Sequence, residues 1–280
     1  MNPFLGDLRA FGAAARKELR ITRRYPTLLI GMFFWPILLP AVYVLQAQAF
    51  SGNGDPRTLA AFAERSGTAQ VAGFVFIGWA MYMWLSQVLW GPGLALRTEQ
   101  LRGSLEAVFL TPASRLVALF GPSTAALVPS MANLAIMAVA ARLIFGVELL
   151  PEALARAGIV ILLTIPAMYG IGSLFASAIL RFGEVGGVVQ LVRGIFTLAC
   201  GVTFPLVMLP DWGRTVALTL PPTYFVADLR RILLAGASLG DLATDLLILA
   251  VLGAAVCALA IWAFKVTELS ARRVGMLGRY

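Results

Sequence analysis

Residues 97–115, RTEQLRGSLEAVFLTPASR, place five charged side chains between two long apolar stretches. Gly103 suits the end of a helix that continues from the first stretch, and Ser104 suits the N-cap of a new helix with Glu106 in its first turn. The Thr-Pro pair at 111–112 ends this helix and begins the next. The pattern predicts a short amphipathic helix that docks into a groove on a protein partner, with an ordinary structured loop as the alternative.

Other chemistry is restricted by what the sequence lacks. The chain has no histidine, which removes imidazole metal ligands, Ser-His-Asp triads and histidine proton relays. It has no GxxxxGKS or GxxxxGKT motif, so it does not bind ATP through a phosphate loop of its own. Arg142 and Arg193 are the candidate intramembrane charges, and both are interpreted as snorkelling side chains near span ends. An enzyme is not predicted, and a transporter of this kind would take its energy from a partner.

Composition identifies the class of protein. The 280-residue chain is 60% hydrophobic and 13% charged, whereas a soluble domain carries about 25% charged residues. Cys200 and Cys257 both lie within apolar runs and are predicted to be small buried residues without a disulfide or a metal. Uncharged runs near or above the roughly 20 residues that cross a bilayer recur along the chain. They predict an all-α integral membrane protein with six transmembrane helices, in the runs 25–54, 66–96, 116–141, 157–180, 194–210 and 246–264.

Charge asymmetry sets the predicted orientation. The net charge is +8, and the excess of Lys and Arg lies before the first run, between the second and third, between the fourth and fifth, and after the last. The positive-inside rule therefore places both termini in the cytoplasm, and no nucleic-acid partner is predicted. The fifth run is the shortest and is expected to borrow residues 185–192, which puts Arg193 inside or near the cytoplasmic boundary.

Three segments outside the spans have predicted structures of their own. Residues 5–25 carry basic and apolar side chains on separate faces at helical spacing, and they are predicted to form an amphipathic helix on the inner membrane surface. Residues 50–67 are predicted to be a short polar external loop. Residues 210–237 are half apolar but interrupted by three prolines, and they are predicted to form re-entrant extracellular helices before the last span.

Small residues and prolines punctuate the spans. The face formed by Gly170, Gly172, Ser173, Ala176 and Ser177 is predicted to pack closely against another helix. Prolines within the spans remove backbone hydrogen bonds and bend the helices, which is compatible both with moving hinges and with ordinary membrane helices. These prolines are Pro36, Pro40, Pro92, Pro129, Pro166 and Pro205.

Two motifs carry a resemblance to a known family. GSLEAVFLTPASR, between the second and third runs, resembles the cytoplasmic segment of type-2 ABC exporter permeases. GVTFPLVMLPDWGRTVALTLPPTYFVADLRRILL, residues 201–234, resembles the second hallmark of that family, an aromatic-Pro pair followed by L-P-x-W, P-x-T-Y and an arginine. The resemblance extends over nearly the whole chain in order and spacing, with Ser104 where the family often has threonine and Asp228 where glutamate is common.

The resemblance implies a single permease domain, 1–280, that forms half of a transmembrane dimer. A second permease protomer, identical or homologous, and two copies of a separate ABC ATPase subunit would complete the assembly. ATP and Mg would bind to that ATPase, and this chain would hold no cofactor, no metal and no catalytic residue. The implied ATPase-coupling residues, in segment 97–115, are Arg102, Gly103, Ser104, Leu105, Glu106, Phe109, Thr111 and Pro112. The implied extracellular gate residues are Phe204, Pro205, Pro210, Trp212, Pro221, Pro222, Tyr224 and Arg230.

The implied function is ATP-driven export across the cytoplasmic membrane, with the first, second and fifth spans lining the path between protomers. The expected cargo is an amphiphilic, lipid-like, drug or glycoconjugate molecule, and membrane lipid is an expected neighbour. An integral membrane enzyme that modifies lipids, an assembly factor and an ion-driven secondary transporter are the alternatives. The near-absence of polar catalytic groups and of intramembrane acids disfavours them.

Overall fold

The computed structural model describes residues 26–50, 55–101, 103, 115–182 and 186–274, with a few positions before residue 25. Over these ranges the chain is helical and contains no β-strand, as predicted. Its helices are α1 (Pro26–Phe50), α2 (Pro56–Ser66), α3 (Val71–Trp90), α4 (Pro92–Leu101), α5 (Arg115–Phe145), α6 (Pro151–Phe182), α7 (Gly186–Ala199), α8 (Asp211–Ala217), α9 (Pro221–Ala235) and α10 (Ala243–Val274). A 3-10 turn, Leu206–Met208, precedes α8.

Four stretches of helix in the described ranges are long and apolar enough to cross a membrane, which makes the chain a multi-pass membrane protein. Two shorter apolar stretches, Phe34–Ala49 and Gly186–Ala199, correspond to the first and fifth predicted spans. The layout of six spans stays a prediction, and the predicted surface helix at 5–25 lies almost entirely outside the described residues. The four long stretches are Val71–Leu101, Leu119–Phe145, Pro151–Ile179 and Ala243–Leu269.

Residues 50–67 are not the simple external loop that the sequence predicted, because α2 occupies most of them. The Asp55 carboxylate begins this helix by accepting hydrogen bonds from the backbone N–H of Thr58 at 3.4 Å and from its hydroxyl at 3.1 Å. Pro56 takes the first helical position, and Gly67 ends the helix in the left-handed conformation, with φ of 75°. These residue types are visible in the sequence, so the helix was predictable.

The second predicted span is broken into two helices at Gly91 and Pro92. Pro92 has no backbone N–H to continue the helical ladder, so α3 ends where the N–H of Gly91 donates to the Gln87 carbonyl at 2.8 Å. α4 then continues as a separate helix of 10 residues. The span therefore consists of a longer helix, α3, followed directly by a shorter one, α4.

The bundle is built around α3 and α6. In the apolar window of the second span 67% of the residues are buried, against 17% in α10, which lies at the periphery. α6 packs against α10, α9, α4 and α3. Its small-residue face allows these approaches, as predicted: a Cβ on Gly170 would lie 2.9 Å from Val256 of α10, and one on Gly172 would lie 2.5 Å from Val88 of α3.

The fifth span includes nearly all of the residues 185–192 that it was expected to borrow, but it ends earlier than predicted. α7 covers Gly186–Ala199 and does not continue to 210, because Gly201 adopts φ of 61° and turns the chain out of the helix. Arg193 therefore lies halfway along α7 and contacts Tyr82 in the middle of α3. Arg193 does not lie at the end of its helix, and its snorkelling toward the cytoplasmic boundary stays a prediction, whereas Arg142 is exposed in the last turn of α5.

Both cysteines are free thiols, as predicted. Cys200 is buried directly after α7, and Cys257 is half-buried in α10. Neither residue forms a disulfide within the described ranges.

Candidate functional site

The predicted coupling segment begins where α4 ends. Gly103 has φ of 71° and donates its N–H to the Gln100 carbonyl at 3.0 Å, so it closes the last turn of the helix, as the sequence predicted. The next helix, α5, begins at Arg115. The other predicted coupling residues lie outside the described residues, and their role stays a prediction: Arg102, Ser104, Leu105, Glu106, Phe109, Thr111 and Pro112.

The predicted gate residues all lie in one folded segment that leads from α7 into α9. Two hydroxyls close its turn between α8 and α9, since Thr223 donates to the Ala217 carbonyl at 2.6 Å and Tyr224 donates to the Leu218 carbonyl at 3.0 Å. The structure places Phe204 and Pro205 before the 3-10 turn, Pro210 and Trp212 at the start of α8, Pro221, Pro222 and Tyr224 at the start of α9, and Arg230 within α9.

The two helices of this segment differ in burial. Trp212 on α8 is 74% exposed, whereas eleven of the fifteen residues of α9 are buried. α9 packs against α3, α6 and α10. At about 22 Å, α9 is too short to cross a bilayer. α8 therefore lies on the surface of the bundle and α9 lies within it. A movement of α9 would have to displace the core side chains that pack against it.

Arg230 joins three parts of the fold through hydrogen bonds to backbone carbonyls. Its Nε and one terminal nitrogen donate to the Phe74 carbonyl of α3 at 3.2 and 2.9 Å. Its terminal nitrogens also donate to the carbonyls of Gly201 and Val202, each at 2.9 Å. The guanidinium carbon lies 3.3 Å from the centre of the Phe74 ring, and the residue is only 8% exposed. Carbonyl dipoles and an aromatic face thus hold a buried charge between α9, α3 and the turn after α7.

Gly78 allows this close approach. A Cβ at this position would overlap the carbonyl oxygen of Val202 and lie 2.8 Å from a terminal nitrogen of Arg230. Only glycine fits where α3 passes this turn. The sequence did not single out Gly78, because its partner is a backbone group that any residue carries.

Asp228 lies on the other side of α9, about 200° around the helix from Arg230. Its side chain is fully buried, and neither carboxylate oxygen has a hydrogen-bond partner within the described residues. Burial raises the pKa of Asp228 to about 7, with a further increase from the charge of Asp245 and an opposing effect of Arg231. The charge of this carboxyl group therefore changes near neutral pH.

The far end of α9 is fastened to its neighbours by two arginines. Arg156 of α6 donates to the carbonyls of Gly236 and Ala237 at 3.1 and 2.8 Å, which satisfies the end of the helix. Arg231 pairs with Asp245 of α10 at 2.7 Å on the surface. α9 is thus held at its C-terminus as well as at Arg230.

The turn after α9 has a spacing that is typical of serine hydrolases but no matching chemistry. Residues 236–240, GASLG, fit the pattern G-x-S-x-G. The Ser238 hydroxyl donates to the Asp241 carboxylate at 2.7 Å, and the chain has no histidine that could serve as its base. This pair organises the turn that leads into α10.

A second cluster lies between α1, α3 and α7. Arg193 donates to the Tyr82 hydroxyl and, at 3.2 Å, to the side-chain oxygen of Gln190. Its guanidinium carbon is 4.6 Å from the centre of the Tyr82 ring. The ring of Trp79 is 4.6 Å from that of Tyr82 and 4.8 Å from that of Tyr43 in α1. A row of three aromatic rings therefore leads from α1 to a charged group on α7.

A third polar group links α3, α5 and α6. The Tyr169 hydroxyl donates to Ser130 at 3.3 Å, and the Ser130 hydroxyl donates to the side-chain oxygen of Gln87 at 2.9 Å. Hydrogen bonds of this kind join helices in an apolar surrounding, where water does not compete. Sequence analysis missed the group because its members are 39 and 43 residues apart and form no motif.

Comparison with protein families finds one matching description. The family model described as ABC-2 type transporter matches residues 9–234. The matched region begins before α1 and ends in α9, so it includes the predicted coupling segment and every predicted gate residue. Comparison with curated proteins gives no match.

Proposed function

This chain belongs to the family of ABC-2 type transporters, and we propose that it is the permease subunit of an ATP-driven exporter. As a member of that family it is a membrane component of a transporter and not a catalytic enzyme. We propose that the chain crosses the cytoplasmic membrane six times, that both termini lie in the cytoplasm, and that transport is directed outward. We also propose that it assembles with a second permease protomer and two copies of a separate ATPase.

The observation that carries the proposal is the extent of the family match, which spans both motif segments. The chain has no phosphate-loop motif, so ATP hydrolysis is assigned to a partner. Arg230 contacts the second span near its start, at Phe74, whereas Gly103 of the other segment follows α4, the last helix of that span. Most of α3 and the whole of α4 separate Phe74 from Gly103. This separation suits a protein that receives energy on one side of the membrane and opens on the other.

The cargo that we propose is amphiphilic, in the range of lipid-like, drug and glycoconjugate molecules. The cluster between α1, α3 and α7 supports this class, because it combines aromatic rings with one charged guanidinium. A strictly apolar cargo would have no group that pairs with the charge of Arg193, and a small ion would not contact the aromatic rings.

Reversing charges in the coupling segment tests the link to an ATPase. The double variant Arg102→Glu with Glu106→Arg is expected to lower both transport and permease-dependent ATP hydrolysis by about tenfold or more, which corresponds to loss of an ordinary coupling free energy. The measurement uses proteoliposomes that contain the permease and its ATPase, and the mass of the purified complex reports the copy numbers.

The matched control exchanges Glu64→Arg and Arg65→Glu, two exposed residues of α2 outside both motif segments. This control should transport at the wild-type rate. Wild-type transport and hydrolysis by the coupling variant would contradict the assigned role of the segment.

Cysteine labelling tests the orientation. Thr219 is exposed beside α9, and Leu101 is 58% exposed at the end of α4. With a membrane-impermeant maleimide applied to intact cells, Thr219→Cys should be modified and Leu101→Cys should be modified only after permeabilisation. The parent chain, with Cys200 buried and Cys257 half-buried, supplies the background. The reverse pattern would invert the proposed topology.

A further inference from the structure

Arg193 places a positive charge halfway along α7. It is the eighth of the fourteen residues of α7, and its partner Tyr82 is the twelfth of the twenty residues of α3. Both side chains therefore start about 9 Å or more from the ends of their helices. An ionisable group at this depth is energetically expensive and is a candidate functional residue by default.

The bonds that Arg193 makes leave part of its donor capacity unused. A guanidinium group carries five N–H donors, of which Tyr82 and Gln190 engage two nitrogens. The buried Nε has no hydrogen-bond partner within the described part of the chain. Tyr82 and Gln190 are both uncharged, and no carboxylate of the described residues forms an ion pair with Arg193. The charge therefore lacks a counter-ion among these residues.

The side chains next to Arg193 on α1 and α7 are exposed on the surface of the described bundle. α1 and α7 both pack against α3. Tyr43 on α1 is 39% exposed, and Leu191 and Ile195 on α7 are 63% and 51% exposed. An elongated apolar molecule can lie along these side chains while its polar end reaches the guanidinium.

We propose that Arg193, Tyr82, Trp79 and Tyr43 form a binding site for an anionic amphiphile, whose phosphate or carboxylate group pairs with Arg193. A planar guanidinium binds two oxygens of such a group at once, which a point charge does not do. The aromatic rings contact the apolar part of the molecule next to its head group. The assignment of this molecule as cargo rests on the proposed function, whereas the site itself does not.

Lipid binding to the full-length permease tests the site without the ATPase. The probes are dioleoyl phosphatidate, dioleoyl phosphatidylcholine and inorganic phosphate, titrated and counted by native mass spectrometry. Wild type should bind phosphatidate about tenfold or more tightly than phosphatidylcholine. Arg193→Gln should weaken phosphatidate binding about 10- to 100-fold, the range for loss of a charge-assisted hydrogen bond, and should leave phosphatidylcholine binding unchanged.

Two further variants keep the result interpretable. Arg193→Lys keeps the charge without the planar group, so it should bind phosphatidate with intermediate affinity, including in the case that Arg193→Gln does not fold. Arg142→Gln removes an exposed arginine at the end of α5 and should bind like wild type.

Three outcomes would overturn the proposal. One is equal phosphatidate affinity in wild type and Arg193→Gln. Another is displacement of phosphatidate by inorganic phosphate at similar concentrations, which would identify a site for a free anion. The third is a change in oligomeric state without a change in lipid binding, which would identify Arg193 as a contact to a second copy. Because no ATPase is present, none of these depends on the coupling experiment.

Discussion

Replacing Arg230 by methionine is expected to destabilise the permease by about 3 kcal/mol. The variant leaves the carbonyls of Phe74, Gly201 and Val202 without the donors that now bind them. A buried acceptor without a partner costs about 1–3 kcal/mol, and the sum is partly offset because a charge is no longer held away from water. The midpoint of thermal unfolding in detergent measures the effect.

The neighbouring arginine supplies a matched control. Arg231 forms one ion pair with Asp245, with the two side chains 46% and 34% exposed, and such pairs contribute about 0–1 kcal/mol. Arg231→Met should therefore unfold close to wild type. Gly78→Ala tests the same contact from α3, since its Cβ would overlap the Val202 carbonyl, and overpacking of this kind costs about 1–3 kcal/mol. Equal stability of the Arg230 and Arg231 variants would show that the buried bonds contribute nothing.

The Asp228→Asn variant is expected to be more stable than wild type above neutral pH. Burial raises the pKa of Asp228 to about 7 from 3.8. Between these values the folded state keeps a proton that the unfolded state releases, so the stability of wild type falls by about 1.4 kcal/mol per pH unit as the pH rises. The loss reaches about 4 kcal/mol and levels off above pH 7.

Asparagine carries no charge at any of these pH values, so the variant should lack this decline and should match wild type near pH 4. Unfolding midpoints between pH 4.5 and 8.5 compare the two chains. Asp211→Asn, at an exposed position in the first turn of α8, should keep the decline of wild type. Parallel profiles for wild type and Asp228→Asn would mean that the buried carboxyl group does not titrate in this range.

The sequence predicted the helices because absence of charge over 20 residues has few explanations other than a membrane span. It placed the end of the fifth helix too late because that boundary depends on the backbone conformation of one glycine, Gly201. The uncharged run continues through Gly201 to Pro210, whereas the helix stops at Ala199.

The segment that leads from α7 into α9 shows what a motif can and cannot predict. Arg230 was selected through the family pattern, and it does lie at a junction of the fold. Its acceptors are backbone carbonyls, which leave no trace in the residue types around them. The row from Tyr43 to Arg193 was missed for a related reason, since Arg193 meets Tyr82 across 111 residues of sequence.

Prolines interrupt the second and fourth spans at two different depths of the bundle. α4 is connected to α9 by two helices that contact both of them, α3 and α6. Pro92 lies at the junction of α3 and α4, and Pro166 lies within α6. The two prolines are about 10 Å apart in depth, because Gly93 lies beside Gly172, six residues beyond Pro166. Each of these spans lacks one backbone hydrogen bond at its proline and bends there more easily than elsewhere. Both prolines lie between α4 and the hydrogen bonds of Arg230, so a displacement of α4 would reach that junction only across two positions where the helices bend more easily.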